Sequence, residues 1–235
     1  MPYGARALAR PGVRPSAIVS VCAAPRRRGA RAGFTLLEML AVIVILGILM
    51  IVLLPRLLGT QKTAQEQLVR ASLVQIGASI DEYEHKFGDY PPSAWVDAWG
   101  TAPNATNVGA ECLVQSLWSN QWGGTTLSED GLVNLDEDES KKPLSRLPTG
   151  KLFELKDAWD NPIAYLHRRD YGKQHAYVTK DGETGELVDN TVTAATNPTT
   201  KSPRNPNKYQ LVSAGADGRF GTDDDLGNWA AEPKE

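Results

Sequence analysis

Cysteine is almost absent from this 235-residue chain, which holds only Cys22 and Cys112. Cys22 lies in an arginine-rich head and Cys112 in an acidic body, so Cys112 is alone once the head is removed. No intrachain disulfide is expected. Histidine is as sparse, at three residues. His167 and His175, with Asp170, are the only candidates for a catalytic group, in "HRRDYGKQH". No nucleophile motif or phosphate-binding glycine loop accompanies them, which argues against an enzyme. Acid is missing locally. Residues 1–33 carry seven arginines (6, 10, 14, 26, 27, 28 and 31) and neither Asp nor Glu. The rest of the chain holds 18 basic against 28 acidic residues, a net charge of −10. An acidic body argues against nucleic-acid binding, and a basic head favours an N-terminus on the cytoplasmic side of a membrane. With 41% hydrophobic residues and six tryptophans, the chain can bury a core and is not globally disordered.

The longest apolar run, Phe34 to Leu54, has 21 residues and a single charge, Glu38. As a helix it would reach about 32 Å, close to the roughly 30 Å of a bilayer core. The pattern argues against a secretory signal peptide, whose apolar region is shorter and ends at small residues, whereas this one ends at Leu53-Leu54-Pro55-Arg56. A plain membrane anchor leaves Glu38 unexplained, since a carboxylate in a spanning helix is costly and usually marks function. Cleavage after Gly33 would free an α-amine on Phe34. That ammonium could pair with Glu38 of a neighbouring copy in an apolar setting.

Gly33-Phe34-Thr35-Leu36-Leu37-Glu38 resembles the cleavage signal of the type IV pilin superfamily. The resemblance implies that a prepilin peptidase cuts after Gly33 and that Phe34 becomes methylated. It implies that Glu38 guides subunits into a helical filament. It places residues 1–33 as a removable leader and 34–54 as a membrane-spanning helix that later forms the filament core. Pro55 is expected to kink that helix and Gly47 to loosen it.

After Pro55 the pattern stays helical. Val69, Leu73, Ile76, Ile80, Tyr83 and Phe87 recur at spacings of three and four, which makes 55–92 an amphipathic outer half that ends at Gly88 and Pro91-Pro92. The stripe needs a sheet to pack on. Residues 93–235 are read as the globular domain. Val108–Trp118 reads as a short helix, and Ile163–Arg169, His175–Lys180 and Lys208–Val212 as strands. Trp95, Trp99, Trp118 and Trp122 are expected to pin the intervening loop. The acidic run 129–139, "EDGLVNLDEDE", reads as a solvated loop, and 189–207 as a polar loop rich in Pro, Asn and Thr. The fold class is α+β: a long, kinked N-terminal helix packed on one small antiparallel sheet, as in pilins.

"SAGADGRFGTDDDLGNW", Ser213 to Trp229, is the second informative stretch. Asp217, Asp223, Asp224 and Asp225 share it with Gly215, Gly218 and Gly221, which allow sharp turns. Calcium takes six to eight oxygens from carboxylates and carbonyls. The residues alone leave calcium and a solvated acidic turn equally open. The stretch is similar to the C-terminal calcium loop of the major pseudopilins of type II secretion. That resemblance implies side-chain ligands Asp217, Thr222, Asp224 and Asp225, carbonyl ligands from Ala214 and Arg219, and Asp223 as a nearby charge. Asp157-Ala158-Trp159-Asp160-Asn161-Pro162 resembles the same family's Asp-Pro-Trp-Gly-Asn-Pro signature, departing at Ala158 and Asp160, and implies a structural Trp at the entry to the sheet.

The resemblance implies a non-enzymatic subunit of the type II secretion pseudopilus, held in the bacterial inner membrane by one pass, N-terminus cytoplasmic and body periplasmic. Its partners would be other copies of itself, prepilin peptidase, minor pseudopilins and the inner-membrane assembly platform. A type IV pilin-like subunit for adhesion or DNA uptake is the alternative. The acidic body and the absence of a C-terminal cysteine pair weigh against it.

Overall fold

The computed structural model describes residues 34–124 and 127–230; the side chains of 52–60 lie outside the described residues. The chain divides into two compact units, one ending at Leu49 and one beginning at Met50. The order of elements is helix α1 (Leu36–Phe87), helix α2 (Val108–Leu117), then strands β1 (Leu132–Val133), β2 (Glu154–Leu155), β3 (Ala164–His167), β4 (His175–Lys180), β5 (Leu187–Val192), β6 (Tyr209–Ser213) and β7 (Leu226–Gly227). The α+β class is as expected. α1 stays helical through Gly47 and Pro55.

In the first unit α1 begins with a reciprocal cap. Thr35 Oγ1 accepts the Glu38 N–H at 3.2 Å, and Glu38 Oε2 accepts the Thr35 N–H at 2.8 Å. This capping box satisfies two donors that a helix start otherwise leaves bare. In the second unit the stripe of α1 is buried at Val69, Leu73, Ile76 and Ile80, at 2% exposure or less. Burial of each contributes about 1.5–3 kcal/mol. Tyr83 and Phe87 continue the stripe as a stacked pair with centroids 4.4 Å apart, although Phe87 is 40% exposed. Gly88 ends the helix with φ +81°, its N–H bonded to the Glu84 carbonyl at 2.7 Å.

The expected single sheet is instead three small antiparallel ones: β1–β2, β3–β6–β7 and β4–β5. β6 is buried along its whole length between β3 and β7, and with β3 it packs on the stripe of α1. Tyr209 Oη donates to the Gly77 carbonyl at 3.1 Å, and Tyr165 Oη to the Pro91 carbonyl at 2.6 Å. β5 corrects the first four residues of the loop expected over 189–207. Its alternation turns Leu187, Asp189 and Thr191 to water and Val188, Asn190 and Val192 inward, and it pairs with β4 along its whole length. α2 departs from a one-faced helix: Gly109 through Leu117 are all buried. Trp118 and Trp122 are buried, whereas Trp95 and Trp99 meet edge to face with centroids 5.4 Å apart.

The Asp157–Pro162 turn is organised by Asp157 and Asn161, with Trp159 only half-buried. Asp157 accepts the N–H groups of Trp159 and Asn161 at 2.9 and 3.0 Å and the Ser213 hydroxyl at 2.6 Å. Asn161 accepts the Lys180 N–H at 2.6 Å, which joins two sheets. Asp160 has φ +61°, a backbone shape that favours glycine. In thermal melts of the detergent-solubilised chain, Asp157→Ala should cost about 3 kcal/mol or more, because it strands three donors. Asp160→Gly should be neutral or stabilising by up to about 1 kcal/mol, the strain relieved less the weak exposed pair with Lys156.

Candidate functional site

At the N-terminal end, Phe34 and the apolar side chains as far as Ile51 are all exposed. Glu38 stands among them with Thr35 as its partner, through the backbone N–H and through the Thr35 hydroxyl at 2.9 Å. The T-x-x-E spacing was available in the sequence as a helix-start signal. Gly33 lies outside the described residues. Among the described residues no helix is long and apolar enough to cross a membrane. The run read as spanning reaches Leu54, beyond the last described apolar side chain of that stretch.

At the C-terminal end, Gly215, Gly218 and Gly221 all have positive φ, between 68° and 86°. They fold the loop back so that its carboxylates take up backbone donors. Asp224 Oδ2 accepts from Ala216 and Asp217 at 2.8 and 3.1 Å, and Asp224 Oδ1 from the Thr222 hydroxyl at 2.6 Å. Asp217 Oδ1 accepts from Arg219 N and Asp225 Oδ2 from Gly221 N, both at 2.7 Å. The hydroxyl of Thr222 also reaches the Arg219 carbonyl at 3.3 Å. Ala214 is fully buried, and Asp223 faces water. One oxygen is left over: Asp225 Oδ1 is buried with no hydrogen-bond partner. Burial and the neighbouring Asp224 and Asp217 push the Asp225 carboxyl up to about 7. Hydrogen bonds from Thr222, Asp217 and Ala216 hold Asp224 low despite its partial burial. A loop that binds one carboxylate with its own amides and leaves another orphaned fits an oxygen-seeking cation. Asn228 ties the loop to the sheet by accepting the Leu211 N–H at 3.1 Å.

The acidic run 129–139 is not wholly solvated, which corrects its reading as a loop in water. Asp138 is 9% exposed and Asp136 half-buried. Among the described residues, Glu111, Asp136 and Glu154 each bring one carboxylate oxygen within 4.8 Å of the other two, a grouping that could hold a metal ion. Neither Glu111 nor Glu154 was a candidate from sequence. The available signal was a lone acid in each of two apolar stretches, Val108–Leu117 and Leu152–Leu155.

His167 and Asp170 are structural. His167 Nδ1 accepts the Arg169 N–H at 3.1 Å, and Asp170 accepts the Ser93 hydroxyl at 2.7 Å and pairs with Lys173. His175 Nε2 lies 3.3 Å from the Asp170 carbonyl.

Residues 28–54 match the prokaryotic N-terminal methylation motif. Type II secretion system core protein G of Klebsiella pneumoniae is 35% identical over 96 residues, 39% of this chain and 69% of that protein. The chain belongs to the type II secretion system core protein G family. The core protein G of Escherichia coli K12 is 27% identical over 204 residues, covering 86% of this chain and 94% of that protein. That of Aeromonas hydrophila is 26% identical over 200 residues, covering 85% and 92%. No solved structure matches the chain. As a core protein G the chain is a major pseudopilin, a structural and non-enzymatic protein. Its methylation motif implies anchorage in the inner membrane.

Proposed function

We propose that residues 1–33 are cut away after Gly33, that Phe34 is then N-methylated, and that the mature chain polymerises into a pseudopilus that drives protein export across the outer membrane. Residues 34–54 would span the inner membrane once, with the N-terminus cytoplasmic, and later pack into the filament core. The helix would bend at Pro55, as in pilins. Residues 55–92 form its outer half, and 93–235 the periplasmic body. Prepilin peptidase, minor pseudopilins, the inner-membrane assembly platform and other copies of the chain are the partners. The observation that carries this reading is Glu38. It is the one acid in an exposed apolar run, it lies inside the methylation motif, and its carboxylate is met by Thr35. A new ammonium on Phe34 of a neighbouring copy completes its charge in an apolar surrounding.

The C-terminal loop holds structural calcium in this reading. Asp217, Thr222, Asp224 and Asp225 supply side-chain oxygens, and Ala214 and Arg219 supply carbonyls. The orphaned Asp225 Oδ1 supports the assignment. Calcium would neutralise the carboxylates that the loop draws together and so clamp the last strand in place.

Two measurements test these roles. Glu38→Gln keeps a side chain that can still close the capping box but removes the charge. It should leave the protein level in the membrane unchanged while pseudopilus filaments, counted by electron microscopy, fall to near zero. Wild-type filament numbers would show that capping is the whole role of Glu38. For the loop, a calcium site filled to about 100 times its dissociation constant adds roughly 2.7 kcal/mol, a Tm rise of about 5–10 °C over chelator. Asp225→Asn should lose that share of the rise and still melt cooperatively in chelator. A rise equal to wild type would remove calcium from this loop.

A further inference from the structure

We infer that the body carries a second calcium site, separate from the C-terminal loop, built by Glu111 of α2, Asp136 of the loop after β1, and Glu154 of β2, with Asp138 beside them. The four carboxylates come from three segments of the chain and share one buried pocket. Their outer oxygens are held. Asn107 donates to Glu154 Oε1 at 3.0 Å, and Asn104 donates to Asp136 Oδ2 at 2.8 Å and to Asp138 Oδ2 at 3.2 Å. Asn107 is itself fixed, because its side-chain oxygen accepts the Val178 N–H at 3.0 Å and its N–H bonds to the Ala176 carbonyl. One oxygen of each carboxylate, Glu111 Oε1, Asp136 Oδ1, Asp138 Oδ1 and Glu154 Oε2, is buried and without a hydrogen-bond donor. Glu111 and Glu154 are at most 1% exposed. Among the described residues no ion pair reaches any of the four.

Orphaned buried carboxylate oxygens cost several kcal/mol each unless a proton or a cation meets them. Burial and mutual repulsion push Glu111, Glu154 and Asp138 upward, which shows how poorly the bare pocket tolerates charge. A cation answers all four oxygens at once, where protons answer them singly. The donors are all oxygen, so the ion is hard. The ligand atoms lie within 4.8 Å of one another, close enough for one ion with calcium–oxygen bonds of about 2.4 Å to reach them all. Magnesium keeps several waters, for which a pocket this buried leaves little room. Half-buried Asp136 gives the ion its way in from solvent. The asparagines act as the outer shell that orients the ligands. The site would staple α2 to β1–β2, two short elements with few backbone bonds of their own.

Equilibrium dialysis of the detergent-solubilised full-length chain against calcium separates this site from the loop. Wild type should bind two ions per chain. Asp224→Ala combined with Asp225→Ala should bind one, and adding Glu111→Gln and Glu154→Gln should leave none. If the loop variant binds none while wild type binds one, the pocket is no calcium site and its oxygens share protons. If wild type binds one ion that the loop variant keeps and the Glu111→Gln/Glu154→Gln variant loses, the pocket stands and the loop reading fails. Asn104→Ala leaves every carboxylate in place and alters a half-buried side chain. It should weaken one of the two wild-type sites at least about tenfold; unchanged affinity at both would overturn the assignment.

Discussion

A carboxylate withdrawn from water must be met by a donor, a proton or a cation, and most of what is distinctive in this chain follows from that constraint. At Asp157 the answer is donors alone: two backbone N–H groups and the Ser213 hydroxyl close around it and so fix the entry to β3. At Asp224 the answer is again donors, supplied by a loop whose positive-φ glycines turn its amides inward. At Asp225 and in the Glu111 pocket the donors run out. Glu38 differs: Thr35 meets one of its oxygens, and the carboxylate stands exposed in an apolar run.

The same rule separates acids closed by the fold's own donors from acids that it leaves open. Asp157 is as buried as several of the orphaned groups, yet both of its oxygens are satisfied within the fold, so it holds a turn and nothing more. Asp170 is likewise closed by Ser93 and Lys173. Burial by itself therefore carries no functional information here. An oxygen left bare after the fold has offered every nearby donor does.

Much of the architecture was legible because it is written in period. The α1 stripe announces itself by spacings of three and four, and Gly88 with Pro91-Pro92 marks its end. β3, β4 and β6 are apolar or aromatic enough to stand out. β5 was hidden because a strand with one solvated face and a Leu-Val-Asp-Asn-Thr-Val sequence has little apolar content to read; only its pairing with β4 defines it. One sheet became three because register between short strands is set by tertiary contacts. The N-terminal motif is legible to the residue, and its T-x-x-E spacing encodes the Thr35–Glu38 cap, although a lone acid in an apolar run reads first as a charge. The buried pocket is hidden for the opposite reason. Asp136 and Asp138 sit in an acidic run, and such runs usually lie in water. Glu111 and Glu154 each interrupt an apolar stretch, the very feature that singled out Glu38.

What distinguishes Glu38 from the Glu111 pocket is how much charge each must place. Glu38 is single in its apolar run, and one ammonium balances it without residue, so a monovalent partner suited to subunit-by-subunit assembly is enough. The pocket gathers four carboxylates, and a lysine reaching in would answer one while adding its own desolvation cost. A divalent ion with six or more coordination positions meets all four from a single point. On the proposed reading, the number of carboxylates drawn together sets the chemistry of the partner: the single acid at the N-terminal end takes another protein chain, and the crowded pocket takes a metal.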